Sequence, residues 1–368
     1  MDVETLEAVA DEVDLTGAEL FELLGKYGHE RVLFSQEDSC GYRGIIALHD
    51  TTLGPALGGT RFWNYASDLD ALIDVLRLSR GMTYKASVAG LNLGGGKSVI
   101  IGDNRSRDRE LIMRAHGRAV DSLGGRYITA EDVGTSVEDM DYVHMETEWV
   151  VGILGRSGDP SPVTAYGTYR GIKASALKAF GSDDLSGRSI AVQGAGHVGY
   201  HLCRYLSDEG AKIFVTDIDE ARAGKVADEL GAEMVDPSGI YEVDADVFAP
   251  CALGAVLNDT TIPMLNVSVV AGAANNQLAS READNQLHER GILYAPDYVI
   301  NAGGLINVYS ELAGWSLERS NRKAGEIYNV LLQVFEIAAS EGMTSAEAAD
   351  RLAERRLERV AQLHRSYA

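Results

Sequence analysis

Lys85 and Lys97 stand at the two ends of the stretch YKASVAGLNLGGGK, in a chain where arginine far outnumbers lysine. A fixed ammonium is what a substrate carboxylate needs. A second ammonium close by is pushed towards its neutral form by like charge and by desolvation. A lysine that is neutral near about pH 7–8 serves as a general base. Asp132, in TAEDVGTS, adds a carboxylate able to carry protons to and from nitrogen. It closes a strand-like run, and α/β proteins place ligands outside the carboxyl ends of strands. Two glycine clusters, Gly58-Gly59 and Gly94 to Gly96, are each followed closely by a cation, Arg61 and Lys97. Glycine lets backbone approach a ligand or another segment. Taken singly, each of these residues is equally well a surface lysine or a helix-capping aspartate, and spacing alone leaves open whether they converge.

A second constellation is more specific. Gly194, Ala195, Gly196, His197, Val198 and Gly199 form a GxGxxG between the apolar strand SIAVQ and an apolar helix. In that context the first glycine makes the tight turn, the second admits a pyrophosphate, and the third lets helix and strand pack closely. The helix N-terminus offers free N–H groups to phosphate. Asp217 lies 18 residues past Gly199, at the end of the next strand, FVTDID. A carboxylate there accepts from ribose hydroxyls and repels a 2′-phosphate, so NAD is favoured over NADP. The bland alternative is a glycine turn with a capping aspartate.

These residues need elements to hold them. RVLFSQ, GIIALHDTT, KSVIIGD and RYITAED read as strands in the first third. SDLDALIDVLRLSRGMTYKASVAG reads as a helix opened by Ser67 and Asp70, and DRELIMRAHGRAVDSLGG as another. Thr135 and Glu138 have the spacing to cap a further helix in TSVEDMDYVHMETE. A helix from about Pro162 should stop at Gly181. From there strand and helix alternate strictly, the pattern of a doubly wound parallel sheet. The last part, from about Asn307, is helical, with a final helix capped by Thr344 and Glu347. The chain has 368 residues, which favours two domains.

Composition excludes several classes. The net charge of −22 opposes general binding to nucleic acid or an anionic membrane. No run reaches the ~18 apolar residues of a membrane helix. MDVETLEAVADEVDLTGAEL lacks the basic and apolar regions of a secretory signal, so a cytoplasmic location is expected. The 3 cysteines, Cys40, Cys203 and Cys251, show no metal spacing and are expected as buried apolar residues. No metal is expected. Acidic charge spread along the chain, with few lysines, is the pattern of proteins that work in concentrated salt, which screens self-repulsion. An ordinary acidic enzyme is the alternative.

The segments HDTTLGPALGGTR, RGMTYKASVAGLNLGGGKSVIIGD, GGRYITAEDVGTSVEDMD, SPVTAYG, VFAPCALGAVLND, AGAANNQL and ILYAPDYVINAGGLINV together resemble the amino acid dehydrogenase family of glutamate, leucine, phenylalanine and valine dehydrogenases, and most of all its leucine enzymes. The resemblance runs from about Arg31 to the C-terminus. It implies NAD-dependent oxidative deamination of an L-amino acid to a 2-oxo acid, ammonium and NADH. It implies an α/β fold of two domains. A substrate-binding and oligomerisation domain would span 1–147, with the C-terminal helices 339–368 packing back on it. A Rossmann-type dinucleotide domain would span 148–338, with hydride transfer in the cleft between them. A homo-oligomer, an octamer, is implied as well.

By the same resemblance, Lys85 binds the substrate carboxylate, Lys97 activates water and Asp132 transfers protons. Gly58 and Gly59 contact substrate. Asn276 lies near the substrate carboxylate and nicotinamide, and Thr164 near the nicotinamide amide. Leu57, Ala130, Leu305 and Val308 line the side-chain pocket. All four are apolar, which suits a branched aliphatic substrate, with valine and isoleucine beside leucine. Leu305 departs from the leucine enzymes, where valine is commoner, so phenylalanine or valine remains an alternative substrate. One methylene is worth only about 1–3 kcal/mol of discrimination. A non-catalytic NAD or amino-acid sensor is the reading from another class.

Overall fold

Ser67 sits in extended backbone and its hydroxyl accepts the N–H of Asp70, so the SDLD signal opens a helix as its residues dictate. The computed structural model describes residues 17–106, 108–154 and 158–365. The acidic segment before about Ala18 lies almost wholly outside them. The chain divides into two compact units. Of the described residues, one holds those up to Gly158 together with those from Ala353 onward, and the other holds Asp159–Leu352. The division therefore falls some residues after both expected boundaries, and residues 339–352 group with the second unit.

In the first unit α1 (Gly17–Tyr27) precedes β1 (Arg31–Glu37), β2 (Tyr42–Asp50) and β3 (Ala56–Trp63). Then come α2 (Asp68–Val88), β4 (Gly94–Ile101), α3 (Arg109–Asp121), β5 (Tyr127–Glu131) and α4 (Val137–His144). The sheet order is β1-β2-β4-β3-β5. β1 and β4 run antiparallel to β2, while β4, β3 and β5 are mutually parallel. Alternation along β4 sends Val99 into a core with Val75 and Leu76 of α2, and Ile100 into another with Met113 of α3 and Tyr127.

The triple glycine is part of β4 and serves packing within the protein. A Cβ at Gly95 would overlap the Thr83 backbone of α2, and one at Gly96 would lie 2.7 Å from the Tyr127 ring. The glycines thus let α2 press on one face of the strand and Tyr127 on the other.

The helix in TSVEDMDYVHMETE is capped one residue later than its sequence suggests. Ser136 is the N-cap of α4 and Asp139 completes the box. Asp139 is buried and held by Arg109 through bonds of 2.5 and 2.6 Å, which fixes the register. Thr135 is left for another task, described below.

The second unit begins with α5 (Ser161–Phe180), which ends on Gly181 in the left-handed region. β6 (Ser189–Gln193), α6 (His197–Asp208), β7 (Lys212–Thr216), α7 (Glu220–Leu230) and β8 (Glu233–Met234) form one half of a parallel sheet. β9 (Val247–Pro250), β10 (Val269–Val270), α8 (Arg281–Glu289) and β11 (Leu293–Tyr294) form the other. The order β11-β10-β9-β6-β7-β8 reverses direction at β6, so the crevice beyond β6 and β9 is the ligand position of a doubly wound fold. α9 (Asp297–Ile300), α10 (Gly303–Ala313), α11 (Leu317–Gly325) and α12 (Ile327–Glu341) follow. α13 (Ser345–Arg365) is opened by reciprocal bonds between Thr344 and Glu347. Beyond Leu352 it lies against α2, where Ser87 donates to the Ala353 carbonyl and Arg356 to the Leu91 carbonyl, both at 2.8 Å.

Cys203 is buried, Cys40 and Cys251 are half-buried, and all three are free thiols. Among the described residues no helix is long and apolar enough to cross a membrane, and no group of side chains is arranged to hold a metal.

Candidate active site

Lys97 points to the α2 face of its sheet, on the same side as Gly95. It is 7% exposed and ion-paired with Asp132, which follows β5. Because β3 lies between β4 and β5, the pair reaches across β3. Gly59 keeps that crossing open: a Cβ there would lie 2.8 Å from the Asp132 Cβ. Two residues on, Arg61 projects from the same face. Its Nη1 donates to Asp74 of α2 at 2.7 Å, and its Nε lies 3.7 Å from Asp132 Oδ2. Asp74 also accepts from the Tyr65 hydroxyl at 2.7 Å. The four charged groups form one chain, Lys97–Asp132–Arg61–Asp74.

Burial pushes the Lys97 ammonium below its usual pKa, although Asp132 opposes this. The positive charge of Arg61 acts in the same direction as burial. Arg61 and Lys97 share a sheet face, and Lys85 sits on the last turn of α2. Burial works against ionised Asp132, but Lys97 and Arg61 outweigh it and hold its carboxyl below the usual range. Both directions favour an ionised aspartate beside a lysine that gives up its proton readily.

The loop carrying Asp132 is pinned from behind. Its N–H donates to Thr135 Oγ1 at 2.9 Å, and that hydroxyl reaches the Thr60 carbonyl of β3 at 2.9 Å. Arg109 donates to the Gly134 carbonyl at 2.7 Å. Beneath the sheet, Thr60 Oγ1 meets Ser98, Thr129 and His116 at 2.7, 2.6 and 2.9 Å, and His116 Nδ1 meets the Tyr42 hydroxyl at 3.0 Å. Burial drives His116 down to about 3, so it is a neutral hydrogen-bonding strut.

Of the other expected residues in this unit, Lys85 is half-buried, Leu57 is buried in β3 and Ala130 is half-buried in β5 beside Gly59. A Cβ at Gly58 would overlap the Gly96 carbonyl, so this glycine has a packing role in the sheet. Arg61, Asp74 and Thr135 escaped the set of expected site residues. Arg61 had a signal in its place directly after the GGT turn. Asp74 reads as one acid among many on a helix, and Thr135 reads as a cap.

In the second unit Gly194 has φ 106°, and a Cβ at Gly199 would overlap the Gly194 carbonyl. Gly196 has nothing within 4 Å of where a Cβ would stand. Two glycines thus serve the turn and the helix, and the third leaves open space, which fits a pyrophosphate approach. A cavity of about 380 Å³ adjoins it, lined by Ala195, Gly196, His197, Tyr200, Arg222 and Lys225 among others. His197 is exposed at the start of α6, and Val198 follows it. Asp217 accepts the Ala195 N–H at 2.7 Å and the Asp219 N–H at 2.9 Å, so it also ties the turn to the end of β7.

Thr164 is buried in the first turn of α5, its hydroxyl bonded to the Pro160 carbonyl at 2.9 Å. Gly303 packs directly on it. Asn276 is exposed and holds φ 50°, an uncommon conformation outside glycine. Buried Gln277 and Asn301 brace its loop through bonds to Gly272, Ala274 and Asn275. Leu305 is buried and Val308 half-buried, one turn apart on α10.

A dinucleotide turn at the switch point of a parallel sheet, with a lysine–aspartate pair on the companion sheet, defines a dehydrogenase class. Residues 29–149 match the family described as Glu/Leu/Phe/Val dehydrogenase, dimerisation domain, and residues 213–365 match Glutamate/Leucine/Phenylalanine/Valine dehydrogenase. The chain is 56% identical over 345 residues to a leucine dehydrogenase of Bacillus subtilis, covering 93% of this chain and 95% of that one. It is 48% identical over 336 residues to a valine dehydrogenase of Streptomyces coelicolor, with coverages of 90% and 92%. The crystal structure of L-tryptophan dehydrogenase from Nostoc punctiforme superposes with a TM-score of 0.86 at 47% identity, covering 93% of this chain and 99% of that one. The chain belongs to the Glu/Leu/Phe/Val dehydrogenase family and is an amino acid dehydrogenase.

Proposed function

We propose that the protein oxidatively deaminates a branched-chain L-amino acid, leucine with valine and isoleucine, to the 2-oxo acid and ammonium, reversibly. The cofactor is NAD, which accepts the hydride. The observation that carries the mechanism is the buried Lys97–Asp132 pair. Lys97, eased towards its neutral form by burial, takes a proton from the water that attacks the imine carbon. Asp132, kept ionised by two cations, exchanges protons with the departing nitrogen. Lys85 holds the substrate carboxylate, with Gly58, Gly59 and Asn276 around it. Thr164 positions the nicotinamide, while residues 194–199 and Asp217 hold the pyrophosphate and ribose.

The preference for aliphatic side chains rests on Leu57, Ala130, Leu305 and Val308. No cation among these four would pair with a substrate side-chain carboxylate, so glutamate is disfavoured. The first unit is read as the substrate and oligomerisation unit of a cytoplasmic homo-oligomer, an octamer. Light scattering after size exclusion tests that assembly. Spectrophotometric NADH formation with leucine, valine, phenylalanine, tryptophan and glutamate, over a range of salt concentrations, tests the substrate. Turnover of phenylalanine or tryptophan ahead of leucine, or of none, overturns the reading.

A further inference from the structure

The Arg61 side chain carries an unused hydrogen-bond donor beside the catalytic pair. Its Nε is buried with no hydrogen-bond partner, although it lies 3.7 Å from Asp132 Oδ2. Burying an N–H without a hydrogen-bond partner is unfavourable. Such a group persists where another state of the molecule uses it. Nothing about Arg61 leaves it loose. Asp74 anchors its Nη1, and Asp74 is in turn held by Tyr65 and Arg77. The guanidinium is therefore parked less than ~1 Å beyond ordinary N–H···O reach of the Asp132 carboxylate.

The chemistry supplies the other state. In the resting arrangement the Lys97 ammonium satisfies Asp132. For Lys97 to act as a base it must give up both its proton and that ion pair. Asp132, half-buried and ionised, would then lose its hydrogen-bonded cation and keep only the Arg61 charge 3.7 Å away. We propose that Arg61 is the second partner of Asp132: as the Lys97 amine turns to water and substrate, the free Nε–H of Arg61 closes on the Asp132 carboxylate and keeps it ionised. Arg61 is thus a positioning residue, acting through Asp132 and Lys97. This inference rests on the lysine–aspartate mechanism above.

Two experiments test it. The first is the crystal structure of the Lys97→Met variant, which removes the amine while keeping the bulk of the side chain. Arg61 Nε is expected within about 3.2 Å of an Asp132 oxygen. Retention of the 3.7 Å separation overturns the proposal. The second is the pH profile of kcat/KM for leucine. Arg61→Gln removes a cation that favours neutral Lys97, so the limb on which activity rises with pH should move to higher pH. Arg61→Lys, which keeps the charge, should restore most of that movement. Lost activity with an unmoved limb in Arg61→Gln, or no rescue by Arg61→Lys, assigns Arg61 a packing role only. The wild-type leucine assay and Lys97→Ala test the underlying mechanism separately. Failure there shows as an inactive wild type or an active Lys97→Ala enzyme, independent of Arg61.

Discussion

Lys97 and Asp132 meet across β3, a strand to which neither belongs, and a glycine at the crossing makes the meeting possible. The lysine stands inside a strand, and its backbone is paired with Ala47 of β2. The aspartate stands on a loop pinned at its own N–H and at Gly134. A base held this rigidly loses little to reorganisation during the reaction.

Replacing Lys97 by Ala should lower kcat by roughly 10²–10⁴-fold, the usual contribution of a general base. On the proposed placement of NAD at residues 194–199, its affinity should stay near wild type. Steady-state rates together with fluorescence titration of NAD separate the two. A substantially active variant contradicts the assigned role.

Thr135→Val removes the hydroxyl that accepts from Asp132 and reaches the Thr60 carbonyl. The half-buried Asp132 N–H then loses its partner, at about 1 kcal/mol. kcat should fall more than KM changes, because the loss falls on proton transfer. Thr135→Ser keeps the oxygen and should recover most of the activity, which a general loss of packing would not allow.

Two glycine substitutions should part company. Gly59→Ala puts a methyl group 2.5 Å from the Glu131 carbonyl and against Asp132, so both melting temperature and activity should drop. Gly196→Ala meets no protein atom and has a φ of −65°, so the melting temperature should stay close to wild type. NAD affinity should nevertheless weaken by about tenfold or more, about 1.4 kcal/mol. Unchanged affinity in Gly196→Ala would mean that the pyrophosphate does not lie against this turn.

Acid should destabilise the fold through its buried histidines. Burial lowers His116 and His29 from 6.5 to about 3. Between those values the unfolded chain binds protons that the native chain refuses, so stability falls as pH drops below 6.5. For His116 the loss is roughly 2 kcal/mol by pH 5. Asp284 opposes this: burial raises it from 3.8 to about 6, so the native state gains a proton first and is favoured in that window. Two histidines outweigh one aspartate, and urea unfolding at pH 7 and pH 5 should show a net loss. His116→Gln, which does not titrate, should shrink it.

The sequence by itself determined the strand, glycine turn and helix at residues 189–208 almost completely. A strand, a GxGxxG, a helix and an acid are contiguous, and local geometry fixes what each glycine does. It also determined the helix starts at Ser67 and Thr344, where capping is a matter of three or four residues. It missed the cap at Ser136 by one position, since Thr135/Glu138 and Ser136/Asp139 are alike locally and the buried Arg109–Asp139 pair decides between them. The Lys97–Asp132 ion pair is non-local. Residues 97 and 132 come together only because the strand order inserts β3 between their strands. That same order sets Arg61 on the sheet face of Lys97, and makes the triple glycine the surface on which α2 and Tyr127 pack. Residue types and spacing name the chemistry, but charge interactions depend on distance through space, which the pairing of distant strands alone sets.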